Sequence, residues 1–505
     1  MNLTLSLAIN GGTGTTKKCK LLRDSIVVDD AMSCDGGDHH SRVVRLLQAR
    51  ERMMAKLEAD DPRVAAAAPD DGSGGLRLMH LLLSSVAAAE SGDAHAAAAA
   101  LHEVCRRASF RGGDPAQRVA AYFADALASS RLVVRSSSSS PAAASAALPT
   151  RAERFLAYTM FYQASPIYQL AHFTANQAIV EAFESGGRRR LHVVDFDVSY
   201  GFQWPSLIQS LSHAAAASTS SSSSHDDGDG DCAKPVSLRI TGLGTSPDEL
   251  RQTEARLARF ASGCPNLRLE FEGIVDDGPD SGCIKVDDDA TVVVNLVFPA
   301  AAQSSMTSST REEECSALLA RIRSLNPSLV FLVEKDGSGS GGGGGNATSR
   351  GRSSSVLPAF TASLRYFAAV FDSLHECLPA DSAERLAIEG NHLGTEICDA
   401  MASFADYNDN YGGGDDDHVA EPTATSWKQM MERAGLERVE LSSRTVSQAK
   451  LLLKMKSGGC GGGGFRVIME GEGGRAMSLG WRDRAQLITA TGWRRRRRSI
   501  NKAFS

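Results

Sequence analysis

The run Leu191-His192-Val193-Val194-Asp195 is short, mostly apolar and ends on a carboxylate. Those features predict a strand over 191–196, the first central strand of a sheet, buried on both faces. Just before it, 166–184 has helical spacing and closes at Gly186-Gly187, as helices commonly do. Just after it, the spacing predicts a helix over 204–213. Moving outward, strand patterns recur at 236–241, 267–271, 291–298 and 329–333, and helical patterns fill 247–262, 311–324 and 360–378. Alternation of this kind implies a mostly parallel, doubly wound sheet with right-handed crossovers and helices on both faces.

The flanks differ. Upstream, 76–89, 95–109, 115–132 and 153–163 have apolar residues at spacings of three and four, and Asp114-Pro115 is a helix start with Asp as the cap. Downstream, 438–441, 451–456 and 465–469 lie close together and read as antiparallel strands added to one sheet edge. The expected organisation is a disordered tail over 1–72, an all-helical cap over 73–185 and an α/β core over 186–505. Five low-complexity stretches (136–147, 214–231, 337–355, 408–417 and 457–464) read as loops or linkers, because Ser, Gly, Ala and Asp runs bury too little apolar surface to order themselves.

In an open α/β sheet a ligand binds beyond the carboxyl ends of the strands. Here that position is Asp195-Phe196-Asp197-Val198-Ser199-Tyr200-Gly201. A cofactor-binding turn needs small residues so that the backbone can approach the ligand. Only Gly201 is glycine, and Phe196 and Tyr200 are bulky. The second strand should also end on an acid for ribose hydroxyls, yet Thr241-Gly242 stands there. Both requirements fail, so no cofactor, no metal and no catalytic residue are assigned. Asp195 and Asp197 are expected to cap the next helix or to bond within the turn. Whether the cleft beside them is closed or takes another ligand stays open.

The 505 residues are 42% hydrophobic, enough for a sizeable core, and carry a net charge of −6. Global charge therefore does not point to nucleic acid. Ten cysteines are scattered without a Cys-x-x-Cys pair, unlike a disulfide scaffold or zinc ribbon. No segment has the apolar length of a membrane span.

Some local motifs carry two readings. Gly11-Gly12-Thr13-Gly14-Thr15-Thr16-Lys17-Lys18 looks like a phosphate loop but has Thr16 where that motif needs glycine. Cys34 with His39 and His40 lacks a second cysteine for a metal site. His172 and His192, single on apolar elements, read as satisfied core residues. Leu78, Leu81 and Leu82 form a Leu-x-x-Leu-Leu segment of the kind that docks in partner grooves. The plainer reading, favoured by the helical pattern, turns them into the core. Arg494, Arg495, Arg496, Arg497 and Arg498 are either a nuclear-import or phosphate-contacting run, or a solvated strand end.

Taken together, 76–493 resembles the GRAS family of plant transcriptional regulators, of scarecrow-like type. Leu191, His192, Val193, Val194 and Asp195 resemble the family's Val-His-Ile-Ile-Asp signature, flanked as there by leucine-rich helices. Phe202-Gln203-Trp204-Pro205 is similar to the segment that follows it. Trp427 and Gly435 are separated by seven residues, the family spacing. Trp481, and Trp493 in Thr491-Gly492-Trp493, resemble the family's closing motif, where Ser-Ala-Trp is usual. Around Glu389 and Thr395 the chain lacks arginines usual in the family. The segment from His172 to Ile179 leans toward the symbiosis and nodulation-signalling members, and no Asp-Glu-Leu-Leu-Ala segment supports a gibberellin-regulated one.

The resemblance implies a helical cap over a Rossmann-like, methyltransferase-like core, with a GRAS domain over about 73–495. It implies a non-catalytic nuclear regulator whose partners are other transcription factors or other GRAS proteins, as homo- or heterodimers, with DNA reached indirectly and no membrane. Two other readings stand beside it. One is an S-adenosylmethionine-dependent methyltransferase, supported by fold analogy alone. The other is direct DNA binding through Arg494–Arg498.

Overall fold

The computed structural model describes residues 73–112, 114–130, 148–220, 235–276, 284–299, 308–336, 355–379, 381–411, 427–457, 464–471, 473–482 and 485–496. The expected tail, the phosphate-loop look-alike, the Cys34 cluster and most of the low-complexity stretches lie outside them.

Helices α1 (Ser73–Glu90), α2 (Ala94–Arg107), α3 (Pro115–Ser129) and α4 (Arg151–Ala164) come first. Their ends follow local chemistry. Asp114 accepts from the Gln117 N–H with Pro115 at the first turn, and Thr150 forms a reciprocal capping box with Glu153. Next come α5 (Pro166–Gly186), β1 (Arg190–Asp195), α6 (Trp204–Ser220), β2 (Val236–Gly244), α7 (Pro247–Ala261), β3 (Leu267–Val275), β4 (Ala290–Val297), α8 (Ser308–Ser324) and β5 (Leu329–Lys335). The chain continues through α9 (Leu357–Cys377), α10 (Ala383–Ile388), a π-helical turn (Glu389–Leu393) and α11 (Gly394–Tyr411). It closes with α12 (Trp427–Arg433), β6 (Leu436–Val439), α13 (Ser443–Ser457), β7 (Phe465–Glu470), β8 (Ala476–Trp481) and β9 (Ala485–Arg495).

The strands form one sheet in the order β3-β2-β1-β4-β5-β9-β8-β7, with β6 also pairing to β9. The first five are parallel; β9, β8, β7 and β6 add antiparallel. β1 lies between β2 and β4, with Val193 in register with Ile240 and Val293. Alternate residues feed two apolar layers: Leu191, Val193, Val293 and Phe331 face one, Val194, Val292, Val294 and Val330 the other. This double burial is why the centre of β1 is apolar at Leu191, Val193 and Val194 and why its buried His192 and Asp195 take hydrogen bonds.

Three sequence expectations change. Residues 451–456 are helix, not strand: α13 buries Leu452 and Leu453 on one face and leaves Leu451 exposed. The alanines from 214 on extend α6 to Ser220 because alanine favours helix over loop. The cap is not confined to 73–185. α9 and α11 pack against α3, so the segment after β5 completes it, whereas α5 lies on β4, β5 and β9 as a layer of the core.

Arg118 on α3 and Glu389 on the π-helical turn join these two parts of the cap. Arg118 Nε lies 3.0 and 3.1 Å from the two carboxylate oxygens, with both side chains fully buried. Arg385 Nε stands 3.7 Å from the same carboxylate.

A polar cavity at the switch point

Between β1 and β4 the strand order reverses, so the crossovers on either side leave in opposite directions and open a crevice beyond the strand ends. A cavity of about 250 Å³ occupies it. Asp195 closes β1, Phe298 follows β4 and Lys335 closes β5. Tyr158 on α4, Tyr168 on α5, and His392 and Glu396 after α10 supply the cap side of the wall.

The floor is a buried amide network. Asn295 on β4 donates through Nδ2 to Asp195 Oδ1 at 3.1 Å and to Gln203 Oε1 at 3.1 Å. Gln203 Nε2 donates to Asn295 Oδ1 at 3.0 Å and to Asn176 Oδ1 at 3.1 Å. Asn176 in turn donates to Gln203 O at 2.8 Å and to Ser206 Oγ at 2.7 Å, which ties α5 to the start of α6. Asp195 is thus held by a neutral amide and by the Asp197 N–H at 3.4 Å. Burial pushes its pKa up to about 7, and burial likewise lifts Asp197 to about 6. The electrostatic pull of Lys335 offsets part of the effect at Asp197. Among the described residues neither carboxylate forms a salt bridge.

The opposite wall is compensated within itself. Lys335 Nζ donates to Glu396 Oε1 at 2.8 Å, and the Tyr168 hydroxyl donates to the same oxygen at 3.1 Å. Burial alone would raise Glu396, but Lys335 and His392 hold it below its ordinary range. The Tyr168 hydroxyl also meets His392 Nε2 at 3.0 Å. Burial pulls His392 down to about 4, so its ring is neutral near pH 7. Lys335 Nζ sits 5.3 Å from the Phe298 ring centre and 5.6 Å from that of Tyr168, within cation–π range.

The backbone is strained on both sides of the opening. Ser199 and Phe298 have φ of 45° and 56°, the left-handed region that side chains avoid. Such residues concentrate at functional sites.

Several expectations are corrected here. The cleft that the sequence left undecided is open. Val198 packs back onto Gly242, where a Cβ would lie 2.9 Å from its own, and Gly201 backs against Thr253. Phe196 turns to the other side of the sheet, into the layer with Val194. Tyr200 and Phe202 then line the cavity instead of closing it. Asp195 bonds within the turn, and α6 begins with the Trp204 N–H on Gly201 O. Thr241-Gly242 is not the end of β2, which runs to Gly244; the true end still offers no acid. His172 is no satisfied core residue. It lines the cavity, its Nδ1 has no partner, and burial depresses it to about 3. His192 Nε2 bonds Thr241 Oγ1 at 2.9 Å, but its Nδ1 is unpartnered.

The other singled-out residues stand elsewhere. Leu191, Val193 and Val194 are core, so of the signature only Asp195 reaches the cavity. Trp427 and Trp493 share one apolar layer, and Trp481, in the other, donates from Nε1 to Asp372 on α9 at 2.6 Å. Gly435 has φ of 78° between α12 and β6, and its carbonyl accepts the Arg496 N–H at 3.0 Å. At Gly492 an alanine Cβ would lie 2.7 Å from Val439, which accounts for glycine before Trp493. Leu78 and Leu82 are buried and Leu81 packs against the same core, so these leucines are not presented for docking. Arg494 is exposed and pairs with Glu437 at 3.0 Å, while Arg495 donates to Asn326 Oδ1 at 3.1 Å. These two are a solvated strand end; Arg497 and Arg498 lie outside the described residues.

Tyr158, Tyr168, Lys335, His392 and Glu396 were not foreseen. The signals were present: a lysine ending an apolar strand, tyrosines dense on two helices, and a His and Glu four residues apart. Nothing local says that these segments converge. Among the described residues no group of three or more His, Cys, Asp and Glu side chains is placed to hold a metal, and no helix is long and apolar enough to cross a membrane.

A capped, doubly wound α/β fold with a cavity at the switch point defines a Rossmann-like class. Comparison with known proteins places it further: residues 78–494 match the GRAS domain family, and the chain belongs to that family. It is 32% identical to Protein SCARECROW of Ipomoea nil over 76% of this chain and 42% of that protein. It is 31% identical to Scarecrow-like protein 23 of Arabidopsis thaliana over 78% of this chain and 84% of that one. DELLA protein GAI1 of Vitis vinifera is 29% identical over 66% of this chain and 49% of its own length. The chain thus spans about half the length of several of these relatives. The crystal structure of SCL7 from Oryza sativa superposes with a TM-score of 0.59 at 28% identity, covering 85% of this chain and all of that one.

Proposed function

We propose that this chain is a nuclear regulator of transcription that works by contact with other transcription factors, including related GRAS chains, and not by catalysis. The observation that carries the reading is the family match across cap and core together, residues 78–494. The chemistry beyond β1 supports the non-catalytic part. A nucleoside cofactor needs an open glycine turn and a carboxylate at the end of β2, and neither is present. The cavity of about 250 Å³ also falls below the usual range for drug-sized ligands.

The test is a reporter assay with the chain tethered to a promoter. Expression is expected to change several-fold in one direction. A tethered, expressed chain that neither activates nor represses would sink the proposal. A fluorescent version of the same fusion is expected in the nucleus. The methyltransferase reading is separated by calorimetry with S-adenosylmethionine, where saturable micromolar binding would revive it.

A further inference from the structure

We propose that the cavity at the switch point is a receptor site for a small organic cation, an amine or quaternary ammonium compound, held between Asp195 and Asp197 and the rings of Tyr158, Tyr200 and Phe202. The inference stands on the cavity and does not rest on the regulatory reading.

Three observations carry it. The first is an imbalance of charge. Asp195, Asp197 and Glu396 all line the cavity, but its buried cation, Lys335, is bonded to Glu396 at 2.8 Å. Arg154, the other cation on the wall, is exposed at the rim. The Asp195 and Asp197 pair is therefore left without a counter-charge in contact. Buried charges are normally paired, and an unpaired one costs free energy that a bound cation would recover. The raised pKa values of both carboxyls express that cost.

The second is the aromatic wall. Tyr158 packs edge-on against Tyr200 at 5.0 Å and against Phe202 at 5.2 Å. The ring faces of such a cluster attract cations. The same cavity already uses this physics once, with Lys335 set against Phe298 and Tyr168. A ligand cation would repeat the arrangement one wall away, beside the unpaired carboxylates.

The third is His172. It is buried, it lines the cavity, and its Nδ1 has no partner. Burial keeps its ring neutral, so this part of the wall adds no positive charge that would repel a cation. An anionic ligand would instead face two carboxylates with Lys335 already engaged.

The wall is drawn from cap and core alike, so occupancy would draw α4 and the π-helical turn onto the strand ends. The experiment is titration calorimetry on the full chain at about pH 8, where both carboxyls are ionised in the empty protein. The probes are choline and n-butylamine, with 3,3-dimethyl-1-butanol and butyrate as their uncharged and anionic counterparts. Saturable binding of at least one cation is expected, with its counterparts weaker by about tenfold or more. Asp197→Asn and Tyr200→Ala should each weaken the cation by a similar factor. Burial raises the Asp197 carboxyl, so the first variant is expected to keep the wild-type circular dichroism with a thermal midpoint at pH 8 no lower than wild type. The proposal is overturned if neither cation binds the folded chain, if a counterpart binds as well as its cation, or if both variants fold and bind as before.

Discussion

Asp195 works against the fold that contains it. Its ordinary carboxyl value is 3.8, and burial lifts it to about 7 in the native state. The native chain then holds a proton that the unfolded chain releases. Stability from this group is complete below about pH 4 and is lost as pH rises through about 7, by up to roughly 1.4 kcal/mol per pH unit. Asp195→Asn keeps an acceptor for the Asn295 amide and removes the titration. Relative to wild type, the variant should gain stability between pH 5 and pH 8, measured by urea unfolding. A difference that stays constant across that range would rule out the buried carboxyl as the cause. The signature showed this residue at the end of a strand, but not its titration. Asn295 and the cap help bury it, and neither is near it in sequence.

Elements were legible where one pattern dominated. β1, β4 and β5 read cleanly because both faces are buried and apolar residues predominate. α3 and α5 read from their caps. The reading failed at Leu451-Leu452-Leu453, where a short apolar run fits strand or helix equally and only packing against α5 decides. It also failed at the π-helical turn, whose role depends on a partner 271 residues away. There Glu389 sits between Arg118 and Arg385 with no exposed surface. Glu389→Gln leaves two buried guanidinium groups uncompensated and should cost about 3–5 kcal/mol in chemical unfolding. The double change Arg118→Met with Glu389→Met should cost clearly less than the sum of the single changes. Additive losses would mean that the pair does not act as a unit.

For the whole molecule, the split into helical cap and α/β core was visible in the sequence, but its boundary was not. Periodicity reports what each segment is, whereas the cap is defined by what segments touch. The antiparallel part of the sheet shows the same dependence. β9 pairs with β5, β6 and β8 at once, with Trp493 opposite both Val330 and Arg438. A chain ended after residue 484 would leave two long strand edges bare. It is expected to be aggregated or non-cooperative in thermal unfolding; a soluble fragment with a sharp transition would refute this.

That arrangement also orders events in time. β9 is the last strand of the described chain to leave the ribosome, yet it takes an inner place in the sheet. Until it arrives, β5 and β8 present unpaired edges of the kind that pair with neighbouring chains. Completion of the sheet therefore waits for β9, while the five parallel strands can pair before it. In that interval a holdase that covers the bare edges of β5 and β8 would raise the yield of folded chain.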